Sequence, residues 1–297
     1  MKVLILGGSG MLGHKVWQTF APRFDTYVTF RGEFAQYRRF GIFDEARAVD
    51  EVPAQDFAGV ARAVATVQPD VVINCIGIVK QDAAAKDPIT SITVNSLFPH
   101  GLAALCRESG ARLIHLSTDC VFSGRKGNYS ENDVADAQDL YGRTKLLGEV
   151  DGEACLTLRT SMIGRELQGS HGLLEWFLSH EGKRVSGFKR AIFSGFTTMA
   201  LAELIANTIA NHAGLRGLYH VAAPAISKFD LLTLVKQTYE LAIEIKPDED
   251  FICDRSLDGG RFKAATGFQA PSWPEMIQHL RDDPTPYDEI RRMNAQG

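Results

Sequence analysis

Tyr141 and Lys145 stand four positions apart in the stretch YGRTKLLGE, a spacing that puts both side chains on one face of a helix. A phenol with an ammonium one turn away suits delivery of a proton to a carbonyl oxygen that is receiving a hydride. A free tyrosine ionises near ~10, and a nearby ammonium favours the phenolate and lowers that value. Lysine also has donors to spare for neighbouring hydroxyls. Thr118, just past the apolar run 112–116, offers a hydroxyl that would bond the same carbonyl and fix its orientation. The Y-x-x-x-K spacing by itself also describes an ordinary exposed helix, so its weight comes from what precedes it in the chain.

What precedes it is a short apolar run, 2–6, followed by Gly7, Gly10 and Gly13 three apart; Gly8, Gly10 and Gly13 also satisfy the spelling G-x-G-x-x-G. Glycine suits a tight turn whose backbone approaches a pyrophosphate and whose following helix packs on the strand. That helix, expected from about Met11 with Leu12, Val16 and Phe20 on one face and Pro22 past its end, would present its N-terminal amides to phosphate. Glycines gather in plain loops too; here the required strand and amphipathic helix flank them. Arg31 follows a second strand expected at 26–30, where an NAD site carries an acidic residue and an NADP site an arginine. Arg31 therefore favours NADPH over NADH, with an ordinary surface arginine beside Arg38 and Arg39 as the plainer reading.

Apolar positions at three and four mark a helix over Phe57–Val67, and 71–76 reads as a buried strand containing Asn74. A long helix is expected at 89–109, interrupted or kinked at Pro99 and closed by Gly110. Strands follow at 112–116 and 156–160, then helices near 173–177, 199–209 and 228–241, the last with Ser227 as N-cap, and a strand at 218–221. Ser272 to Pro274 opens a short helix ahead of a charged tail, 282–297. The β-α alternation implies an α/β fold: a Rossmann-type doubly wound parallel sheet over 1–160, with a smaller C-terminal α/β substrate-binding part at 161–297, some of whose elements return to the sheet. Ile76 and Gly77 should lie at a strand's carboxyl end, on the ligand side.

The 297 residues, 45% hydrophobic and 23% charged, suit an ordinary globular chain. A net charge of −4 and a pI near 6.1 supply no basic field for nucleic acid. Cys75, Cys106, Cys120, Cys155 and Cys253 are odd in number and scattered, with no metal-ligand spacing. They read as reduced thiols in a cytoplasmic protein, and no apolar run reaches the ~18 residues of a membrane span.

Taken in order, LILGGSGMLG, PDVVINCIG, HLSTDCVFSG, YGRTKLLGE and LRTS resemble the extended, sugar-nucleotide branch of the short-chain dehydrogenase/reductases, and within it the dTDP-4-dehydrorhamnose reductase family. The likeness is good to about Thr160 and continues more weakly through GLYHVAA and RSLDGGRF. It implies reduction of a 4-keto-6-deoxy sugar nucleotide by nicotinamide hydride, NADPH or NADH, in surface polysaccharide biosynthesis; a homodimer is a further expectation. By position it assigns Thr118, Tyr141 and Lys145 to catalysis; Gly7, Gly10, Met11, Leu12 and Gly13 to the pyrophosphate turn; Ile76 and Gly77, with Tyr141 and Lys145, to the cofactor; and Asp50 to adenine.

The resemblance also carries alternatives. Sugar 4,6-dehydratases of this branch carry glutamate where this chain has Cys120, which disfavours dehydration. Cys120 and His171 resemble the cysteine and histidine of GDP-fucose synthase, which would make the chain an epimerase-reductase; a buried thiol and a helix-start histidine are the plainer readings. Some members of the branch are non-catalytic regulatory subunits, usually lacking the tyrosine or the lysine. Lys80, Trp176, Lys189, Arg190, Phe196, Arg255 and Arg261 are candidates for diphosphate or base contacts.

Overall fold

The computed structural model describes residues 1–80 and 83–295. Its centre is a seven-stranded parallel sheet. Strands β1 (Lys2–Leu6), β2 (Asp25–Thr29) and β3 (Ala48–Val49) form one half, and β4 (Val71–Asn74), β5 (Arg112–Thr118) and β6 (Cys155–Thr160) the other. The seventh is a strand from the C-terminal half, Gly217–His220, paired along β6. The sheet order places β1 between β2 and β4, so the winding reverses there, and the crevice outside the carboxyl ends of β1 and β4 is where such a sheet binds ligands.

β1 is apolar throughout because both its faces are covered. Val3 and Ile5 pack into one core with helix Gly13–Phe20 and helix Thr198–Asn211. Leu4 and Leu6 pack into the other with helices Phe57–Val67 and Phe98–Ser109. The expected long helix is interrupted just ahead of Pro99. Pro99 sits in the first turn of Phe98–Ser109, where its missing N–H costs nothing, and the irregularity precedes it: Thr93–Leu97 is a π-turn between Pro88–Ile92 and Phe98–Ser109. Residues 88–109 form one 22-residue helical run, long and apolar enough to cross a membrane by length and composition alone; here Val94, Phe98, Leu102 and Cys106 are buried in the second core.

Beyond β6 come β7 (Met162–Ile163) and β9 (Phe196–Thr197), paired in parallel, and a three-stranded sheet of β8 (Arg184–Phe193), β11 (Ile226–Ser227) and β12 (Glu244–Asp254); Gly217–His220 is then β10. Ser227 caps helix Lys228–Tyr239, its hydroxyl accepting the Asp230 N–H at 3.0 Å. The charged tail folds back: helix Tyr287–Ala295 follows a turn in which Asp283 is ion-paired with the buried Lys15 of the first helix. Residues 296–297 of that stretch lie outside the described residues.

Candidate active site

A cavity of about 820 Å³ opens at the reversal point of the sheet. Its floor comes from the segments after β1, β4, β5 and β6, residues 9–12, 74–80, 116–120 and 160–162, and its far wall from β8, β12 and the start of helix Lys228–Tyr239. Thr118, Tyr141 and Lys145 all face it, as do Gly10, Met11, Leu12, Ile76 and Gly77.

Helix Leu140–Leu147 carries the tyrosine and the lysine. Asp139 caps it, accepting the Gly142 N–H at 3.0 Å. Two glycines let it lie close to its neighbours: a Cβ on Gly142 would sit 2.3 Å from the Cys120 carbonyl oxygen, and one on Gly148 only 1.8 Å from that of Asn95. The helix is thus wedged between the loop after β5 and the π-turn, and Ser96 Oγ donates to the Thr144 carbonyl at 2.8 Å. Asn95 in turn grips the cavity loop, accepting from the Ile78 N–H at 2.9 Å and donating to the Ile78 carbonyl at 3.1 Å. Asn74 is likewise consumed by structure, accepting from the Ile76 N–H at 3.0 Å.

Burial raises the Tyr141 phenol pKa, the neighbouring Cys120 adding to the effect, while a hydrogen bond with Thr118 opposes it. This is opposite to the direction expected from the lysine alone, because burial penalises the phenolate. Lys145 is pushed down to about 8 by burial, with Glu149 resisting, and one of its donors goes to the Leu116 carbonyl at 2.7 Å. Thr118 Oγ1 accepts from the Cys120 N–H at 3.1 Å and donates to Asp119 Oδ1 at 3.2 Å.

At the other end, Gly7 holds φ +83° while a Cβ on it would meet Ile76 Cγ1 at 2.9 Å. A Cβ on Gly13 would lie 2.1 Å from the Gly7 carbonyl oxygen. The turn and the helix are therefore as close as glycine alone permits, and the helix, which starts at Gly13 rather than Met11, begins at the edge of the cavity. Gly10, Met11 and Leu12, at the start of the helix, would hold the phosphates of a dinucleotide. Gly7, Gly13 and Arg31 do not line the cavity; the first two build the turn behind it, and Arg31 is exposed two residues past β2. One Asp50 oxygen is taken by the Phe34 N–H at 3.0 Å.

The sugar-side candidates divide. Lys80, Trp176 and Arg255 face the cavity. Phe196 is a core residue, Lys189 pairs with Glu249 at 3.2 Å, Arg261 lies over the Tyr219 ring at 4.6 Å, and none of these three nor Arg190 lines it. Cys120 faces the cavity, its thiol pushed up to about 12 by burial, but His171 is exposed and outside it. The base and acid on opposite faces of one sugar, which epimerisation needs, are not assembled from this pair.

Sequence reading brings Asp119 to the ligand edge of the sheet but gives Lys228 no role beyond starting a helix. Lys228, the first residue of its helix, reaches the cavity with its Nζ 3.9 Å from the Phe193 ring centroid. Burial pushes it down to about 8, with Asp119 and then Cys120 resisting. Burial in turn raises the Asp119 carboxyl against the pull of Arg255 and Lys228. Arg255 reaches the same thiol, Nη1 to Cys120 Sγ 3.8 Å. Lys228 folds with a lowered pKa, so the unfolded chain binds more protons between about 8 and 10.5 and stability rises with pH across that window. Replacing Lys228 with Met is expected to raise stability at pH 7 by about 2 kcal/mol, an advantage that shrinks as the pH climbs past 8 in denaturant titrations. A Met variant less stable than the parent at pH 7 would refute this.

The sequence matches the RmlD substrate binding domain family over residues 1–283. It is 27% identical over 254 residues to the dTDP-4-dehydrorhamnose reductase of Escherichia coli (strain K12), covering 79% of this chain and 77% of that protein. To the dTDP-4-dehydrorhamnose reductase of Streptomyces griseus it is 35% identical over 147 residues, 49% of this chain and 43% of that protein, so the chain spans less than half of that relative's length. A crystal structure of dTDP-4-dehydrorhamnose reductase from Bacillus anthracis str. Ames, in complex with NADP, superposes with a TM-score of 0.78 at 20% identity, covering 95% of this chain and 99% of the other, and shares its fold. With the family matched along nearly its whole length, this chain belongs to the RmlD substrate-binding domain family.

Proposed function

We propose that the chain is an NADPH-dependent reductase of a 4-keto-6-deoxy nucleotide sugar that serves surface polysaccharide biosynthesis. The observation that carries this reading is the convergence of Thr118, Tyr141 and Lys145 on one cavity that also takes in the glycine turn. Bound NADPH supplies a hydride. Tyr141, kept protonated by its burial, gives its phenolic proton to the sugar's carbonyl oxygen as that oxygen gains charge. The ammonium of Lys145 neutralises the phenolate left behind, and Thr118 turns its one proton from Asp119 to the substrate to hold the carbonyl in line. The aromatic wall of Trp176, Phe188 and Phe251 suits a nucleotide base or sugar face. Tyr141 and Lys145, the residues whose loss marks a regulatory member of the branch, are both present.

The test is consumption of NADPH with dTDP-, UDP- or GDP-linked 4-keto-6-deoxy sugars; a protein that binds NADPH and reduces none of them is not this reductase. Arg31, exposed at the end of β2, supports the preference for the phosphorylated cofactor. Arg31→Asp is expected to weaken NADPH about tenfold and NADH by less than about twofold, the difference being one charged hydrogen bond to phosphate. Equal losses for both cofactors in fluorescence titrations would remove Arg31 from the phosphate.

A further inference from the structure

The Gly10 carbonyl, in the middle of the glycine turn, is held twice by one residue: by the His14 backbone N–H at 3.2 Å and by His14 Nδ1 at 2.8 Å. A carbonyl only accepts, so Nδ1 carries the proton. Burial pushes the imidazole down to about 4, which leaves Nε2 bare at neutral pH. Its partner is the Tyr287 hydroxyl at 2.8 Å, which must then donate. Asp283 Oδ2 accepts from the same hydroxyl at 2.9 Å, so the hydroxyl's one proton is shared between Nε2 and the carboxylate; Asp283 is also ion-paired with Lys15, whose Nζ donates to Thr285 Oγ1 at 3.0 Å. His14, Lys15 and Tyr287 are all buried, and none of these groups faces the cavity. Thr285 and Tyr287 lie past the end of the family match.

We propose that the C-terminal segment 283–287 positions the cofactor turn, with Tyr287 as the positioning residue: its hydroxyl selects the His14 tautomer that pins the Gly10 carbonyl. In a trans peptide the C=O and the next N–H point in opposite directions. Pinning the Gly10 carbonyl toward the helix therefore aims the Met11 amide the other way, toward the cavity that Met11 lines. Without the hydroxyl, the imidazole gains nothing from keeping its proton on Nδ1 beyond the Gly10 bond itself, and the peptide is freer to rotate. The inference rests on the cavity being the NADPH site.

Tyr287→Phe keeps the ring against His14, at 5.7 Å between centroids, and under Arg165, at 4.6 Å, while removing the hydroxyl. In the full-length protein this variant is expected to bind NADPH about five- to tenfold more weakly, the worth of one buried hydrogen bond, with kcat at saturating cofactor within about twofold. Nitrogen-15 NMR should show His14 with its proton on Nδ1 in the parent and on both nitrogens in exchange in the variant. Asp288→Asn, at a carboxylate with 83% side-chain exposure whose ion-pair partner among the described residues is Arg165, should change neither reading. A merely structural Tyr287 would lower the melting temperature and leave the cofactor Kd and the tautomer alone, and that pattern overturns the proposal. So does a parent whose His14 proton sits on Nε2, a measurement that needs no variant. A parent that fails to bind NADPH sinks the cofactor reading, whereas a parent that binds it no better than Tyr287→Phe sinks only the positioning role.

Discussion

Replacing Tyr141 with Phe is expected to lower keto-sugar reduction by about three orders of magnitude, within the range that a positioned general acid contributes, while NADPH binds within about twofold of the parent. The loss should be this large because neither Lys145 nor Thr118, the groups that share the site with the phenol, can take its place. Lys145 commits a proton to the Leu116 carbonyl, and Thr118 has a hydroxyl far too weakly acidic to give its proton away. Removing the oxygen costs little structure, since helix Leu140–Leu147 is held by its close approach at Gly142 and Gly148 and by the Ser96 bond to the Thr144 carbonyl rather than by the phenol. Burial raises the phenol, so reduction should persist to alkaline pH; its first loss there should follow Lys145, whose charge fades near 8. Lys145→Arg, charged throughout, should flatten that limb. Full turnover by the Phe variant would dismiss Tyr141 as the proton donor.

Gly13→Ala is expected to weaken NADPH by a factor of about 100 or more and to cost about 3 kcal/mol of stability, the upper range for an overpacked site. The new carbon would lie 2.1 Å from the Gly7 carbonyl oxygen, 2.9 Å from its carbon and 3.1 Å from the Gly8 Cα. All three are backbone atoms, so no side chain can swing aside; the turn has to open, and the amides it presents to phosphate move with it. Gly214→Ala is the matched control, since nothing lies within 4 Å of its new carbon, and it should leave cofactor affinity and melting temperature as they were. If Gly13→Ala binds NADPH as the parent does, the close approach of turn and helix has no part in holding the cofactor.

Much of this was legible in the chain itself because it is local. The glycine turn is spelled by residues within one short segment, the Tyr141 and Lys145 pairing follows from helix geometry, and Ser227 announces its cap. Phe57–Val67 came out residue for residue because one apolar stripe fixes both its period and its ends. Boundaries were harder: β5 runs on to Thr118, which is thus the last residue of the strand rather than part of the loop.

The unread parts depend on distant pairings. β12, which carries Glu244, Asp248, Glu249 and Asp250, has no assignment from the sequence, yet it forms a parallel ladder with β8, bulged between Asp248 and Ile252. Lys228 is legible in the sequence only as the first residue of a helix. It faces the cavity only because the Asp119 loop and Phe193 converge on it from elsewhere in the chain. The tail seemed merely charged for the same reason, since Tyr287 meets His14 across 273 positions.

The last strand to join the central sheet, Gly217–His220, is also the one that covers the flank of β6. A chain emerging from the ribosome has therefore made six strands well before it makes the seventh, and for that interval it carries an open row of peptide groups able to pair with any passing extended segment. The nascent protein is most vulnerable to aggregation between the synthesis of Thr160 and that of His220, and a fragment stopped in between would keep that vulnerability permanently.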